Sequence, residues 1–394
     1  MKTLAIHTNE MTLQPLFGRL ANQTTHNLTG VASGSTGATT HDHKEVAMKT
    51  KHMILAVVAA ALFSVLPHAS AQQSDYAGIP TNLPGVTTAP APPSGFNPLI
   101  ASDSELAAYG FPPRPDKNAL PNGYAAWKNA MQAAKKRIFP ELELTNRFNG
   151  PNAAAGKIGN TVYSYNWSGA VDTTTATSYG PNSFSFVQAD FVAPVANEDP
   201  GQEGTFQCTG PVYSSSWVGI DGYGSNDVLQ AGTEADVSCP GSVKTYDAWF
   251  EWFPNAETVI RNFPIAQGDD IQVLVWSTSA TQGETFIVNY STNEWVNVIF
   301  PAPSGTTLIG NSAEWVVERP EVNGSLATLT NYNWDYFSYG YATTVAGATR
   351  YPGDSGSIFV TMEKYPSNVP ISAAQAMGVG NLWFTCLDQP TPCQ

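Results

Sequence analysis

The sequence predicts an all-β fold over residues 161–394: a sandwich of jelly-roll or concanavalin type, with two packed antiparallel sheets. Three observations predict it. From about Tyr163 the segments are short and rich in Thr, Val, Ile, Tyr, Phe and Trp. Gly, Pro, Asn and Asp punctuate them closely. SFSFVQADFVAP, VKTYDAWFEWFP, IQVLVWSTSA, ETFIVNYST, EWVNVIFP and SAEWVVERP alternate, and no long helical period appears among them.

Ahead of this region the chain divides by texture. Residues 1–47 are polar, lack periodicity and carry no usable motif. Residues 48–71 read as a secretory signal peptide, with a basic start at Lys49, Lys51 and His52. An apolar run from Met53 to Val65 and an Ala69-Ser70-Ala71 cleavage signal complete it. Met48 is then the expected start, and residues 1–47 an over-long or non-native N-terminus. Residues 72–160 read as a pro-segment. Its first part, 72–122, is rich in Pro, Gly, Ser and Asn and is expected to form a coreless leader or linker. Its second part, YAAWKNAMQAAKKRI at 124–138, has helical spacing and a basic end. The expectation is a helix docked by charge on the acidic domain, released when acid neutralises the carboxylates. Maturation is expected between Arg147 and Tyr163, where NGPNAAAGKIGN looks exposed.

Charge narrows the function. Residues 1–160 hold 13 Lys/Arg and 9 Asp/Glu, whereas 161–394 hold 5 and 23. Phosphate would be repelled by the second part, so a nucleic-acid partner is excluded. The carboxylate excess suits either work in acid or a soluble surface. Four cysteines, Cys208, Cys239, Cys386 and Cys393, follow the signal peptide. Two disulfides are expected in an exported protein; proximity favours Cys208–Cys239 and Cys386–Cys393, though three pairings exist.

The run YPGDSGSIF at 351–359 resembles the surroundings of a nucleophilic serine. All six histidines, His7, His26, His41, His43, His52 and His68, precede the expected cleavage point. The exported protein therefore has no Ser-His-Asp triad and no His-ligated metal, and neither metal nor cofactor is expected. Ser355 reads as a turn residue leading into a strand.

Alternation sets the candidate site. In YDAWFEW, Asp247, Trp249 and Glu251 face away from Tyr246, Ala248, Phe250 and Trp252. Trp217, Gly219 and Asp221 share a face in SWVGIDG; Gln230 shares one with Val228; Glu314, Val316 and Glu318 share one in AEWVVE. Acidic, amide and indole groups thus gather on one side of a sheet. Isolated exposed carboxylates are ordinary; large aromatics beside them point to a groove.

In order, NWSG at 166–169, SWVGIDG at 216–222, VLQAG at 228–232, YDAWFEWFP at 246–254 and AEWVVE at 313–318 closely resemble the glutamic peptidases, or eqolisins. The resemblance covers about 163–340. It implies two seven-stranded antiparallel sheets, a Gln/Glu dyad at Gln230 and Glu318, and supporting groups at Trp167, Trp217, Asp221, Asp247, Trp249 and Glu251. It also implies protein or peptide substrates and the pro-segment as intramolecular inhibitor. Ala231 stands where Thr is usual. Arg319 stands where Asp is usual, and a cation there is expected to lower the Glu318 pKa. A monomer, secreted and free of the membrane after signal removal, is expected. The competing expectation is a glycoside hydrolase or lectin using Asp247, Trp249 and Glu251, for which Gln230 would be dispensable.

Overall fold

The computed structural model describes residues 78–158, 161–197, 210–238 and 242–387. All belong to the unit Pro67–Gln394. Among the described residues from Trp167 onward come fourteen strands of at least five residues. They are β1 (Trp167–Thr173), β2 (Phe184–Val192), β3 (Ser215–Ile220), β4 (Val228–Ser238), β5 (Val243–Phe253), β6 (Thr258–Pro264) and β7 (Asp270–Ser279). There follow β8 (Gln282–Asn289), β9 (Glu294–Pro301), β10 (Ser312–Glu318), β11 (Trp334–Thr344), β12 (Ile358–Lys364), β13 (Val369–Ala376) and β14 (Leu382–Cys386).

One layer runs β6-β5-β4-β3-β10-β1-β12, antiparallel throughout. The other runs β13-β14-β11-β2-β7-β8-β9, also antiparallel. The β12–β13 pairing joins them, so one ladder folds over into a sandwich. The core lies between the layers, where Val218, Leu229, Ala231, Phe250 and Trp315 meet Val187, Ala189, Ile271, Val273 and Val298. Period-two alternation puts one face of every strand into this core. Burying each such aliphatic side chain contributes about 1.5–3 kcal/mol. What remains is the outer face of each layer, and both are covered.

The outer face of the second layer is covered partly by the stretch expected to have no core and partly by the helix expected to dock. Helix α1 (Asp103–Ala108) starts at a capping box, Ser102 with Glu105. Helix α2 (Pro121–Ala133) starts on a proline whose missing N–H costs nothing there. Leu106, Phe111, Leu120, Trp127, Ala130 and Met131 pack on Phe186, Leu274, Trp276, Phe286, Val288 and Trp295. Widely spaced apolar residues suffice when another element supplies the opposite wall. The coreless leader is therefore corrected over 78–122.

Two expectations for 124–138 are also corrected. The helix stops at Ala133, and Lys136–Arg137 is a short strand parallel to Glu294–Trp295. Ladder bonds to β9 override helix propensity there. Docking is chiefly apolar rather than ionic. Lys136 pairs with the buried Glu294, but the lysine side chain is 70% exposed and water screens its charge.

The GDSG run is a turn. Asp354 accepts from Arg350 Nε and Nη2 at 2.8 Å each, and Ser357 Oγ donates to Asp172 at 2.8 Å. Gly353 sits at φ 86°, the left-handed region that favours glycine. Ser355 is exposed. Cys386 is disulfide-bonded. Cys208, Cys239 and Cys393, the signal-like stretch 48–71 and residues 1–47 lie outside the described residues. Among the described residues no helix is long and apolar enough to cross a membrane.

Candidate active site

The outer face of the first layer carries the candidate residues. Gln230 on β4 lies opposite Glu251 on β5 and Gly219 on β3. Glu318 on β10 lies opposite Trp167 on β1 and Ser215 on β3. Strand β3 thus separates amide from acid, and its Trp217 bridges the gap. The Trp217 indole needs room to lie across the sheet, and two glycines supply it. A Cβ on Gly219 would fall 2.9 Å from Trp217 Cζ3, and one on Gly232 2.6 Å from Trp217 Cβ.

Glu318 is held on both oxygens. Oε2 accepts from Trp167 Nε1 and Trp217 Nε1, each at 3.0 Å. Oε1 accepts from Asn166 Nδ2 at 2.9 Å. The two indoles meet edge to face, ring centroids 5.0 Å apart. Glu318 is 1% exposed. Burial drives its pKa well above the usual carboxylate range; the Asn166 bond opposes this, the Glu251 charge adds to it, and the two indole bonds oppose it.

This face is roofed by the chain's own residues. Arg147–Phe148 pairs with Glu321–Val322, and the chain then crosses the acidic face. Asn149 N–H donates to Glu251 Oε2 at 2.9 Å, and Gln230 Nε2 donates to the Asn149 carbonyl. Trp167 Nε1 also donates to the Gly150 carbonyl at 3.0 Å. Asn152 N–H reaches Gly222 O at 3.1 Å, and Ala153 N–H reaches Asn166 Oδ1 at 2.8 Å. Upstream, Arg147 pairs with Asp236 at 2.8 Å and lies 3.6 Å from Glu257. An extended strap therefore satisfies its backbone on Glu251, Gln230 and Trp167.

Gln230, Glu251, Trp167, Trp217, Trp249 and Glu318 gather beneath the strap; Asp221 and Asp247 do not. Asp221 closes a loop, accepting from Ile309, Gly310 and Asn311 N–H at 2.8–2.9 Å. Asp247 pairs with Arg261 at 3.2 Å. Burial drives Glu251 well above its usual range, against the Asn149 bonds. The expected lowering of Glu318 by Arg319 is corrected. Arg319 donates instead to the carbonyls of Tyr165 and Glu363, at 2.6 and 3.2 Å. Successive strand residues point to opposite faces, so its cation turns away.

Sequence reasoning missed Asn149, Asn166, Glu234, Asp236 and Glu257. Glu234 and Asp236 continue the alternation of Gln230 along β4, so TEADV held the signal. Asn166 stood inside the quoted NWSG. Asn149 and Glu257 carry no local signal, because a turn-like NGP and a loop acid look solvated.

The β-sandwich, histidine-free over residues 161–394, buries a carboxyl and a primary amide on one face, and the amide donates to a backbone carbonyl. A family model described as the Peptidase A4 family matches residues 165–378. Aspergillopepsin-2 of Aspergillus niger is 30% identical over 207 residues, spanning 50% of this chain and 70% of that protein. Scytalidopepsin B of Scytalidium lignicola is 32% identical over 150 residues, spanning 38% of this chain and 54% of that protein. Among solved structures, scytalido-glutamic peptidase with a transition state analog inhibitor is 23% identical, with a TM-score of 0.46 over 56% of this chain and 97% of that one. Aspergilloglutamic peptidase from Aspergillus niger is 28% identical, with a TM-score of 0.40 over 44% and 99%. The chain belongs to the Peptidase A4 family, the glutamic peptidases or eqolisins.

Proposed function

We infer that this peptidase is a secreted acid endopeptidase made as a zymogen, with Glu318 and Gln230 as its catalytic residues. One observation carries the reading: Gln230 donates its amide to a peptide carbonyl, while Trp167 donates to the neighbouring carbonyl and to Glu318.

In the reaction, with the strap gone and Glu318 no longer buried beneath it, the Glu318 carboxylate takes a proton from water, and the water oxygen bonds to the scissile carbonyl carbon. The carbonyl oxygen becomes an oxyanion stabilised by Gln230 Nε2, a donor at any pH. Loss of one such donor costs about 3–4 kcal/mol of barrier. The intermediate collapses, the C–N bond breaks, and the proton on Glu318 passes to the leaving nitrogen. One water is consumed; a carboxyl and an amine form. The indoles of Trp167 and Trp217 hold Glu318 in place and exclude bulk water.

The strap supports the inhibitor role of residues 72–160, since substrate and strap compete for Gln230. The carbohydrate reading gains no support: its Asp247 is engaged by Arg261 and its Glu251 by Asn149.

The test is digestion of a denatured protein across roughly pH 2–7. Wild type is expected to cut only in acid. Folded Glu318→Ala and Gln230→Ala proteins should each lose at least about 100-fold in kcat. Undiminished cutting by either variant would remove that residue from the mechanism.

A further inference from the structure

The strap does more than cover the face; it shows how one residue is read there. Asn149 is fully buried. Its N–H goes to Glu251 and its carbonyl receives Gln230. Those bonds use backbone groups and hold any residue alike. Its side chain is read by carboxyls: Asn149 Nδ2 donates to Glu257 Oε2 at 3.1 Å, and the side chain also bonds Glu251, whose backbone partner is the same residue.

Glu257 is placed for this by the strap's own backbone. Thr145 N–H donates to Glu257 O, and Glu257 N–H donates to Arg147 O, both at 3.0 Å. A peptide lying along the same line would make the same pair of bonds and deliver its side chain to the same carboxyl. Glu257 is 0% exposed, so an apolar side chain would take from Oε2 the hydrogen bond that Asn149 gives it, with no water to replace it. An acidic one would bring two buried acids together. Both are costly where nothing else can fill the gap.

Resting on the proposed Gln230/Glu318 chemistry, we propose that Glu257 is a specificity-determining residue. It receives the side chain of the residue whose carbonyl is attacked and selects one that donates a hydrogen bond, asparagine first. The Asn149–Gly150 bond is then the bond the chain offers its own dyad. Its hydrolysis consumes one water and leaves a carboxyl on Asn149 and an amine on Gly150.

The experiment uses the full chain after acid incubation, and peptides that differ only in the residue X of an X–Gly bond. With X as Asn, Leu, Phe or Asp, kcat/KM for Asn should exceed that for Leu and Asp by roughly tenfold or more. Glu257→Gln keeps an acceptor and should keep the preference; Glu257→Ala should bring the Asn/Leu ratio close to one. Sequencing the acid-treated wild type should find a new N-terminus at Gly150, absent in Glu318→Ala. Equal or greater cleavage after Leu or Phe would overturn the subsite while leaving the peptidase chemistry intact. An N-terminus elsewhere with none at Gly150 would overturn the assignment of the bond. The wild-type peptide series decides the matter even if a Glu257 variant fails to fold. Loss of all cleavage, denatured protein included, would overturn the dyad reading on which both assignments rest.

Discussion

Glu318 must be ionised to take a proton from water, yet every group around it pulls on that ionisation. Burial raises its pKa most, the Glu251 charge raises it further, and Asn166, Trp217 and Trp167 lower it by hydrogen bonding. The signs can be separated by substitution. Glu251→Gln removes a raising influence, so the acid limb of kcat/KM should move to lower pH. Trp217→Phe removes a lowering influence, so the same limb should move to higher pH. A pH–rate profile of each variant reads this directly. Shifts in the same direction would show that one of the two does not act through Glu318 as assigned. The identities of Gln230, Glu318 and the tryptophans were legible because alternation assigns faces without any fold. Asn149 was not, since its importance depends on a chain crossing from far outside the sheet. Arg319 misled for a related reason: sequence adjacency suggested a charge contact that the strand's pleat forbids.

The N-terminal elements were the least legible part of the chain. Helix existence could be read from Trp127, Met131 and their spacing, but its end could not, because β9 recruits Lys136–Arg137. Nor could the mode of docking. If packing dominates, Trp127→Ala should destabilise the full chain by about 3–5 kcal/mol. Lys136→Ala, which takes an exposed cation from the buried carboxyl of Glu294, should cost less than Trp127→Ala. Chemical denaturation of both variants checks this, and a larger loss for Lys136→Ala would restore the ionic account. The same elements bear on release in acid. Glu251, Asp236 and Glu257 are all driven well above the usual range, chiefly by burial. So far as the strap buries them, covering the face takes up protons and acid favours the covered state. Protonation of these groups therefore works against release of the strap.

At the scale of the molecule, the acidic excess is only partly a solvated coat. Asp172, Asp190, Asp335, Glu284, Glu314 and Glu318 are buried. Burial pushes Asp190 up to about 8, and Asp172, Asp335 and Glu284 up to about 7. In an unfolded chain these groups titrate near 4. Between those values the folded protein holds protons that the unfolded chain has released. Their stabilisation is full below about pH 4 and is lost as pH rises through the folded values. Self-repulsion of a domain with 23 acidic and 5 basic residues acts in the same direction at higher pH. Composition alone could not distinguish an acid-adapted interior from a soluble surface; the buried positions can. The full chain with Glu318→Ala, which removes the complication of self-digestion, should melt at higher temperature at pH 4 than at pH 8. Asp190→Asn, which keeps the shape and an acceptor for Gln272, should flatten that difference by removing one linked proton. Calorimetry at both pH values, with and without the second substitution, measures it. A protein equally or more stable at pH 8 would mean that these carboxyls are charged and solvated in the fold, and that the acidic composition belongs to the surface after all.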